Sequence, residues 1–308
     1  MQEAARRLDE RVTRTPVFRS RTLDMLTGAE ILLKAENLQH TGSFKYRGAL
    51  NVLLSLPSEE LAYGVGCASS GNHAQALACA AREVGCRAFA VMHKDAAVKR
   101  AAAEAYGASV RPYAEIAERD AVLMAWAEEE GFRVVPSSNH PLIVAGQSTV
   151  VWELLEQAGP LDALLVPVAG GGLLAGSALT LDVRGAPTRL VGAEVDRACS
   201  VADALRAGPS AIPVAVCAGL SRPAVADCIT VTDMQIRSAT TFLLERMKLV
   251  VEPGGAAALA AAMAGIEPPL VGRVGVVLTG GNIDRGLLSG WLRLGWDGSP
   301  SPARSARA

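Results

Sequence analysis

Short apolar runs alternate along the chain with longer stretches in which apolar residues recur every three or four positions. The runs EILLKAENL, YGVGCAS, CRAFAVMH, LDALLVPVA, RLVGAEV and RVGVVLT predict buried strands. Helical patterns such as SFKYRGALNVLLSL, SGNHAQALACAAREVG and GGGLLAGSALTL follow several of these strands. Repeated strand-then-helix units predict an α/β fold in which a parallel sheet is flanked by helices.

Composition fits a large folded protein. The chain has 308 residues, of which half are hydrophobic and a fifth are charged, so we expect a substantial core. This length accommodates two domains or one large α/β unit. The formal net charge of -1 argues against a nucleic-acid partner, because phosphate binding needs clustered basic residues.

The apolar runs are too short for a membrane protein. None approaches the roughly 20 residues that a membrane-spanning helix needs. The N-terminal stretch MQEAARRLDERVTRTPV is charged and has no apolar signal core. We therefore expect no membrane association and a cytoplasmic location.

Cysteine and histidine residues give no metal signature. The six cysteines show no C-x-x-C spacing, and buried free thiols are their expected state. The four histidines show no H-E-x-x-H or other paired spacing, which disfavours a transition-metal enzyme.

Three predicted strand-to-helix turns place glycine and small polar residues where backbone N–H groups and the helix dipole attract anions. In ASSGNHAQA, the loop from Ser69 to Asn72 would offer donors to a carboxylate, although serine and asparagine also cap helices for structural reasons. In VVLTGGNID, Thr279 ends a buried strand. Its hydroxyl would serve either as a strand-end hydrogen bonder or as the partner of a ring nitrogen.

The third turn, VPVAGGGLLAG, has three consecutive glycines, Gly170 to Gly172. It lacks the G-K-[ST] ending of a P-loop, and Ala175 breaks the G-x-G-x-x-G spacing of a dinucleotide site. A nicotinamide-dependent oxidoreductase is therefore disfavoured. A compact phosphate cup suits the turn better, and tight helix–sheet packing is the alternative explanation.

Lys45 lies in TGSFKYRG, where Ser43 is predicted to cap a helix and Lys45 to fall in its first turn. A cation is disfavoured at that end of a helix, so the site favours a neutral, nucleophilic amine. Lysine amines form Schiff bases with carbonyl compounds, including pyridoxal phosphate (PLP). A lone lysine is usually a solvated surface residue; the phosphate cup, the carboxylate loop and Thr279 favour the chemical role here.

Taken together, these segments resemble the fold-type II PLP enzymes, in particular the serine/threonine dehydratase and serine racemase family. The resemblance runs through LKAENLQHTGSFKYRGALN, SSGNHAQALA, KRAAAEAYGASV, VAGQSTVVWELLEQ, DALLVPVAGGGLLAG, ERMKLVVEPGGAAALAA and LTGGNID. It implies two parallel-sheet α/β domains with the cofactor in the cleft between them. Residues 1–53 and 140–308 would form the large PLP-binding domain, and residues 54–139 the small substrate-loop domain.

The resemblance also implies roles for individual residues. Lys45 would be the Schiff-base lysine with Phe44 beside the cofactor ring, and Thr279 would face the pyridine nitrogen. Asn72 would bond the ring 3-hydroxyl. The phosphate would be held by Gly170, Gly171, Gly172 and Leu173, and the substrate carboxylate by the loop of Ser69, Ser70, Gly71, Asn72 and His73.

The implied activity is that of a PLP-dependent ammonia-lyase converting L-serine or L-threonine to a 2-oxo acid and ammonia. The steps would be Schiff-base formation, Cα deprotonation by Lys45 and β-elimination. Serine racemase and 3-hydroxyaspartate dehydratase are alternatives within the same fold, and Ser70 matches the serine that faces the lysine in racemases. A catalytically silent amino-acid-binding protein is the alternative from another class, which Lys45 disfavours because a binding module does not need that amine.

Relatives are commonly homodimers, so we expect a homodimer.

Two departures from the family pattern bear on substrate and metal. Arg119 and Arg222 would suit an acidic substrate, although a solvated arginine is the commoner role of each. Glu194 and the backbone of Ala198 match the divalent-cation site of the racemases, but Ser200 stands where a carboxylate is expected. We therefore expect weak Mg²⁺ binding at most.

Overall fold

The computed structural model describes residues 1–196, 225 and 227–296, and its strands form two separate sheets. In chain order the strands are β1 (Val17–Arg19), β2 (Glu30–Ala35), β3 (Val65–Ala68), β4 (Ala88–His93), β5 (Ala108–Tyr113), β6 (Arg133–Val134), β7 (Ala163–Pro167), β8 (Arg189–Val195), β9 (Asp227–Val231) and β10 (Arg273–Leu278). The larger sheet has the order β1-β2-β10-β7-β8-β9, and the smaller one the order β5-β4-β3-β6.

Helices connect most of these strands. They are α1 (Gln2–Leu8), α2 (Arg21–Thr27), α3 (Lys45–Leu53), α4 (Ser58–Leu61), α5 (Asn72–Val84), α6 (Ala97–Ala105), α7 (Arg119–Glu130), α8 (Pro141–Ala158), α9 (Gly172–Val183), α10 (Asp233–Met247), α11 (Pro253–Ala264) and α12 (Arg285–Leu292). Short 3₁₀ turns lie at Glu36–Leu38, His40–Gly42 and Ile116–Glu118. Cys199, Cys217 and Arg222 lie outside the described residues.

Every described strand pair is parallel except one. β1 pairs with β2 in the antiparallel direction, at the edge of the larger sheet. The connection between them, residues 20–29, is shorter than the roughly dozen residues that a parallel crossover needs. The remaining pairs confirm the predicted α/β fold with parallel sheets.

Alanine-rich helices pack tightly on the sheets. Residues Gly255 to Met263 of α11 are all buried, and the helix packs against β7, β8 and β10. The small alanine side chains allow the helix to approach the sheet closely. The predicted flanking of a parallel sheet by helices is therefore confirmed.

Helix α3 joins the two halves of the molecule. Tyr46 and Leu50 share a buried cluster with Leu77 of α5 and Cys67 of β3, so α3 packs towards the smaller sheet. Its other neighbour is α8, which precedes the larger sheet strand β7. The strands of the smaller sheet lie within residues 54–139, and the predicted division into two domains stays a prediction.

Within the described residues, no helix combines the length and apolar character required to cross a membrane.

Candidate active site

A cavity of about 460 Å³ lies where strands of both sheets end. It is lined by residues that follow β3, β7 and β10, together with Lys45 at the start of α3. Loops after the carboxyl ends of parallel strands converge on one edge of a sheet, which is where open α/β folds bind ligands. The structure thus brings together the three turns and the lysine that the sequence singled out.

Lys45 is the first residue of α3 and therefore lies in the first turn of this helix, as predicted. Its Nζ donates a hydrogen bond to the Ser137 carbonyl oxygen at 2.6 Å and lies 5.1 Å from the centre of the Phe44 ring. Burial of the amine lowers the pKa of Lys45 to about 8. A substantial fraction of the amine is therefore neutral near physiological pH and available as a nucleophile.

The prediction that Ser43 caps this helix is wrong. Ser43 forms an isolated bridge with Gly280, and its buried Oγ has no hydrogen-bond partner among the described residues, so it caps no N–H group of the helix. Phe44 occupies the cap position and has no side-chain acceptor to offer. The bridge instead joins the Lys45 loop to the end of β10.

The glycine turn after β7 is shaped by close neighbours. A Cβ on Gly170 would lie 2.5 Å from the Ser138 Oγ, and one on Gly172 would lie 2.7 Å from the Gln147 Oε1. Gly171 has a φ of 77°, a left-handed conformation that glycine adopts without strain. The turn leads into the twelve-residue helix α9, whose first N–H groups have no intrahelical partners. Packing and backbone conformation therefore explain the glycines, and the N–H groups at the helix start still suit a phosphate.

Thr279 lies directly after β10, is buried and lines the cavity. Its carbonyl oxygen accepts a hydrogen bond from the Phe44 N–H at 3.1 Å, and its N–H donates to the Gly255 carbonyl oxygen at 3.4 Å. These backbone bonds fix the residue between the Lys45 loop and α11. Its predicted role opposite the pyridine nitrogen stays a prediction.

Comparison with known proteins identifies the family. Residues 8–280 match the model of the family described as "Pyridoxal-phosphate dependent enzyme". The chain is 41% identical over 306 residues to an L-threo-3-hydroxyaspartate ammonia-lyase of Pseudomonas sp., covering 92% of this chain and 94% of the relative. An L-threo-3-hydroxyaspartate ammonia-lyase of Saccharomyces cerevisiae is 39% identical over 299 residues, covering 92% of each chain. The solved structure of maize serine racemase superposes with a TM-score of 0.88 at 32% identity, covering 95% of each chain.

This chain belongs to the PLP-dependent enzymes of fold type II. The family, the fold and the dependence on PLP that the sequence predicted are therefore confirmed. The relatives include ammonia-lyases and a racemase, so they place the activity in that group without selecting a substrate.

Features of the structure itself show that the cavity of this PLP enzyme suits the cofactor. Lys45 offers a partly neutral amine to an aldehyde, and the turn at Gly171 offers helix-start N–H groups to a phosphate. Thr279 offers a hydroxyl at the end of a central strand. Leu173, which the sequence also assigned to the phosphate loop, is buried and lines the same cavity.

The loop from Ser69 to His73 also lines the cavity, but its members differ in what they offer. Ser69 is buried, and its Oγ accepts a hydrogen bond from the Gly71 N–H at 3.0 Å, which stabilises the loop. Ser70 is exposed to the cavity. Asn72 begins α5 after Gly71, so the predicted helix start at this loop is confirmed.

His73 is a buried, neutral imidazole. Its Nε2 lies 3.1 Å from the Val135 carbonyl oxygen, which can only accept, so Nε2 carries the proton. The pKa of His73 is lowered to about 3, mainly by burial and to a smaller extent by the nearby charge of Lys45. Its Nδ1 is then an acceptor and does not donate to a carboxylate. The geometry supports a role in orienting the loop, and its predicted role in binding the substrate carboxylate stays a prediction.

The sequence analysis missed two functional candidates, Lys99 and Glu252. Glu252 accepts a hydrogen bond from the Asn72 Nδ2, while the Asn72 Oδ1 accepts one from the Asn282 Nδ2 at 2.9 Å. Lys99 forms an ion pair with Glu252. The signal available in the sequence was the carboxylate in KLVVEPGGAAALAA, a lone acid between apolar residues and an alanine-rich helix.

The predicted metal site is described only in part. Glu194 is buried on β8, where its Oε2 lies 3.7 Å from the Cys228 Sγ, whereas Ala198 and Ser200 lie outside the described residues. In the ranges that the structure describes, no three His, Cys, Asp or Glu side chains are grouped as metal ligands would be. Weak Mg²⁺ binding stays a prediction.

The lowered pKa of Lys45 predicts how cofactor uptake depends on pH. Below about pH 8 the amine gains a proton, so we expect the rate of PLP uptake by the apoprotein to fall up to tenfold per pH unit. Above that pH the rate should level off. Stopped-flow absorbance would measure it, with Nα-acetyllysine run in parallel to correct for the titration of PLP. A rate that keeps rising towards the ordinary lysine value of 10.5 would contradict the lowered pKa.

Proposed function

We propose that this protein is a PLP-dependent ammonia-lyase that converts 3-hydroxyaspartate to a 2-oxo acid and ammonia. The observation that supports it is the cavity lining, in which the cations Lys99 and Arg119 accompany the reactive Lys45. Serine and threonine have neutral side chains and would leave both cations without a substrate partner. The relatives named as L-threo-3-hydroxyaspartate ammonia-lyases support the same substrate class. Serine and threonine, which the sequence favoured, become the competing substrates.

Arg119 can still accept a substrate carboxylate although it has a partner. Its Nε and Nη2 bond the two oxygens of the neighbouring Asp120, at 2.8 Å and 3.2 Å. A guanidinium has five N–H donors, so these bonds leave donors available on the same group. The side chain is 38% exposed, which allows the group to contact a ligand in the cavity.

The residues of the chain supply binding and proton transfer. PLP, when bound, supplies a carbonyl for the substrate amine and an electron-accepting ring. The neutral Lys45 Nζ is placed to take the proton from Cα, and the N–H groups at the start of α9 to hold the phosphate. The Ser69–Asn72 loop would bind the α-carboxylate. Loss of the 3-hydroxyl as water, followed by addition of water and release of ammonia, gives the 2-oxo acid.

Substrate preference tests the proposal. We expect kcat/KM for L-threo-3-hydroxyaspartate to exceed that for L-serine and L-threonine. Arg119→Met should lower kcat/KM for L-threo-3-hydroxyaspartate by roughly 10- to 100-fold, because a charge-assisted hydrogen bond is worth about 1.5–3 kcal/mol. Assays of 2-oxo acid release measure both. Arg111→Met is the matched control, since Arg111 pairs with Glu129 outside the cavity. A faster reaction with serine or threonine would contradict the proposal.

Racemisation is a second candidate activity, favoured by Ser70. Inverting Cα requires an acid or base on each face, and the Ser70 side chain is exposed in the cavity that also holds Lys45. We expect Ser70→Ala to lower formation of D-serine from L-serine by about 100-fold, with a smaller effect on elimination. Chiral chromatography measures the product. Equal racemisation by variant and parent would remove this role.

Assembly and location remain predictions. The expected homodimer is testable by sedimentation of the holoenzyme, and the cytoplasmic location by fractionation of cells. Neither bears on the residues assigned to the cavity.

A further inference from the structure

Lys99 reaches across the active-site cavity from the side of the smaller sheet. Lys99 belongs to α6, which follows β4. The aliphatic part of its side chain passes close to the substrate loop, since a Cβ on Gly71 would lie 2.3 Å from the Lys99 Cδ. Its Nζ lies 3.7 Å from the Glu252 Oε2, just before α11 on the side of the larger sheet. The pair therefore spans the cavity between the two sheets.

The two side chains of the ion pair differ in their exposure to solvent. The Lys99 side chain is 35% exposed, whereas that of Glu252 is 12% exposed. At 3.7 Å the contact is longer than a close charge-assisted hydrogen bond, so Lys99 can exchange it for a closer acceptor in the cavity. Glu252 keeps a second partner, since its Oε1 accepts from the Asn72 Nδ2. Burial raises the pKa of Glu252, and the nearby Lys99 opposes that rise.

We propose that Lys99 determines specificity by exchanging Glu252 for the side-chain carboxylate of the substrate. In the free enzyme Glu252 holds the Lys99 ammonium beside the substrate loop. A substrate with a second carboxylate offers the ammonium an acceptor inside the same cavity, whereas serine or threonine leaves the Lys99–Glu252 pair intact. The inference rests on the proposed function, because it needs a dicarboxylic substrate, and it adds a residue that selects it.

The exchange predicts opposite effects for the two members of the pair. Removing the cation removes the partner of the second carboxylate, so Lys99→Met weakens binding of a dicarboxylate. Removing the negative charge of Glu252 releases Lys99, so Glu252→Gln strengthens it, while the Gln oxygen still accepts from Asn72. A pair that only stabilised the fold would give effects of the same sign.

Calorimetric titration of the holoenzyme with succinate and with butyrate tests the exchange. We expect Lys99→Met to weaken succinate binding by at least about tenfold, with a much smaller change for butyrate, and Glu252→Gln to tighten succinate binding several-fold. Lys94→Met is the matched control, because Lys94 is exposed, outside the cavity, and five positions from Lys99. PLP absorbance of each variant verifies that the cofactor is bound.

Kinetics gives the second readout. With L-threo-3-hydroxyaspartate, Lys99→Met should raise KM more than it lowers kcat, since the contact forms on binding. Unchanged succinate affinity in Lys99→Met, or weaker succinate binding in Glu252→Gln, would overturn the role of Lys99. Preference of the unmodified enzyme for L-serine would instead contradict the proposed function, so the two failures are distinguishable.

Discussion

Lys45→Ala is expected to lower kcat for 2-oxo acid release by at least about a thousandfold. Under the proposed function, the substitution removes both the amine that would form the link to the cofactor and the base that would take the Cα proton. Lys99 lines the same cavity, but its amine pairs with Glu252 or, as proposed, with the side-chain carboxylate of the substrate, so it does not replace Lys45. Steady-state assays with saturating PLP measure the loss.

Lys94→Ala serves as the control for this prediction. It removes an exposed lysine that does not line the cavity and should leave kcat within about twofold of the parent. A Lys45→Ala enzyme that retains more than about a tenth of the parent activity would show that another group performs the chemistry.

Arg47→Met is expected to destabilise the protein by about 3–5 kcal/mol, because it leaves the buried carboxylate of Glu36 without its cation. The Arg47 and Glu36 side chains are completely buried, and the Arg47 Nε donates to the Glu36 Oε2 at 2.8 Å. Arg47 also donates to both oxygens of Glu153, at 2.6 Å and 2.8 Å. Lys34 pairs with Glu153 as well, so one substitution disturbs a connected network.

Urea unfolding of the holoenzyme, with the same PLP concentration for each variant, measures this effect. The double variant Arg47→Met/Glu36→Gln should regain part of the loss, because the uncompensated charge of Glu36 is gone. Arg111→Met, which breaks an exposed pair with Glu129, should cost less than about 1 kcal/mol. A comparably small cost for Arg47→Met would contradict a structural role for the network. Since Arg47 is two positions from Lys45, the network also fixes the helix turn that presents the amine.

The strands that the sequence predicted are those buried on both faces. β7 and β10 are almost entirely buried, and their apolar runs are unbroken. β5 lies at the edge of the smaller sheet, and its sequence ASVRPY contains a proline and an arginine, so no apolar run indicates it. β9 is another edge strand, and although it is mostly buried, Asp227 and Thr230 interrupt the apolar pattern of its sequence DCITV.

The residues of the candidate site likewise include some that the sequence could predict and some that it could not. Lys45, the glycine turn and Thr279 were predictable because each follows a recognisable element boundary. The error at Ser43 arose because its bridge to Gly280 is a tertiary contact that local capping preference does not include. Lys99 and Glu252 meet only through the fold, since they are far apart in the chain and each alone reads as an ordinary charged residue.

Borohydride reduction of the holoenzyme followed by peptide mass analysis tests the central claim most directly. Reduction converts the link between PLP and a lysine into a stable bond, so the modified residue can be identified. We predict pyridoxyl phosphate on Lys45, in a tryptic peptide AENLQHTGSFKYR that is left uncut after the modified lysine. Modification of Lys99 or another lysine, with Lys45 unmodified, would contradict the account.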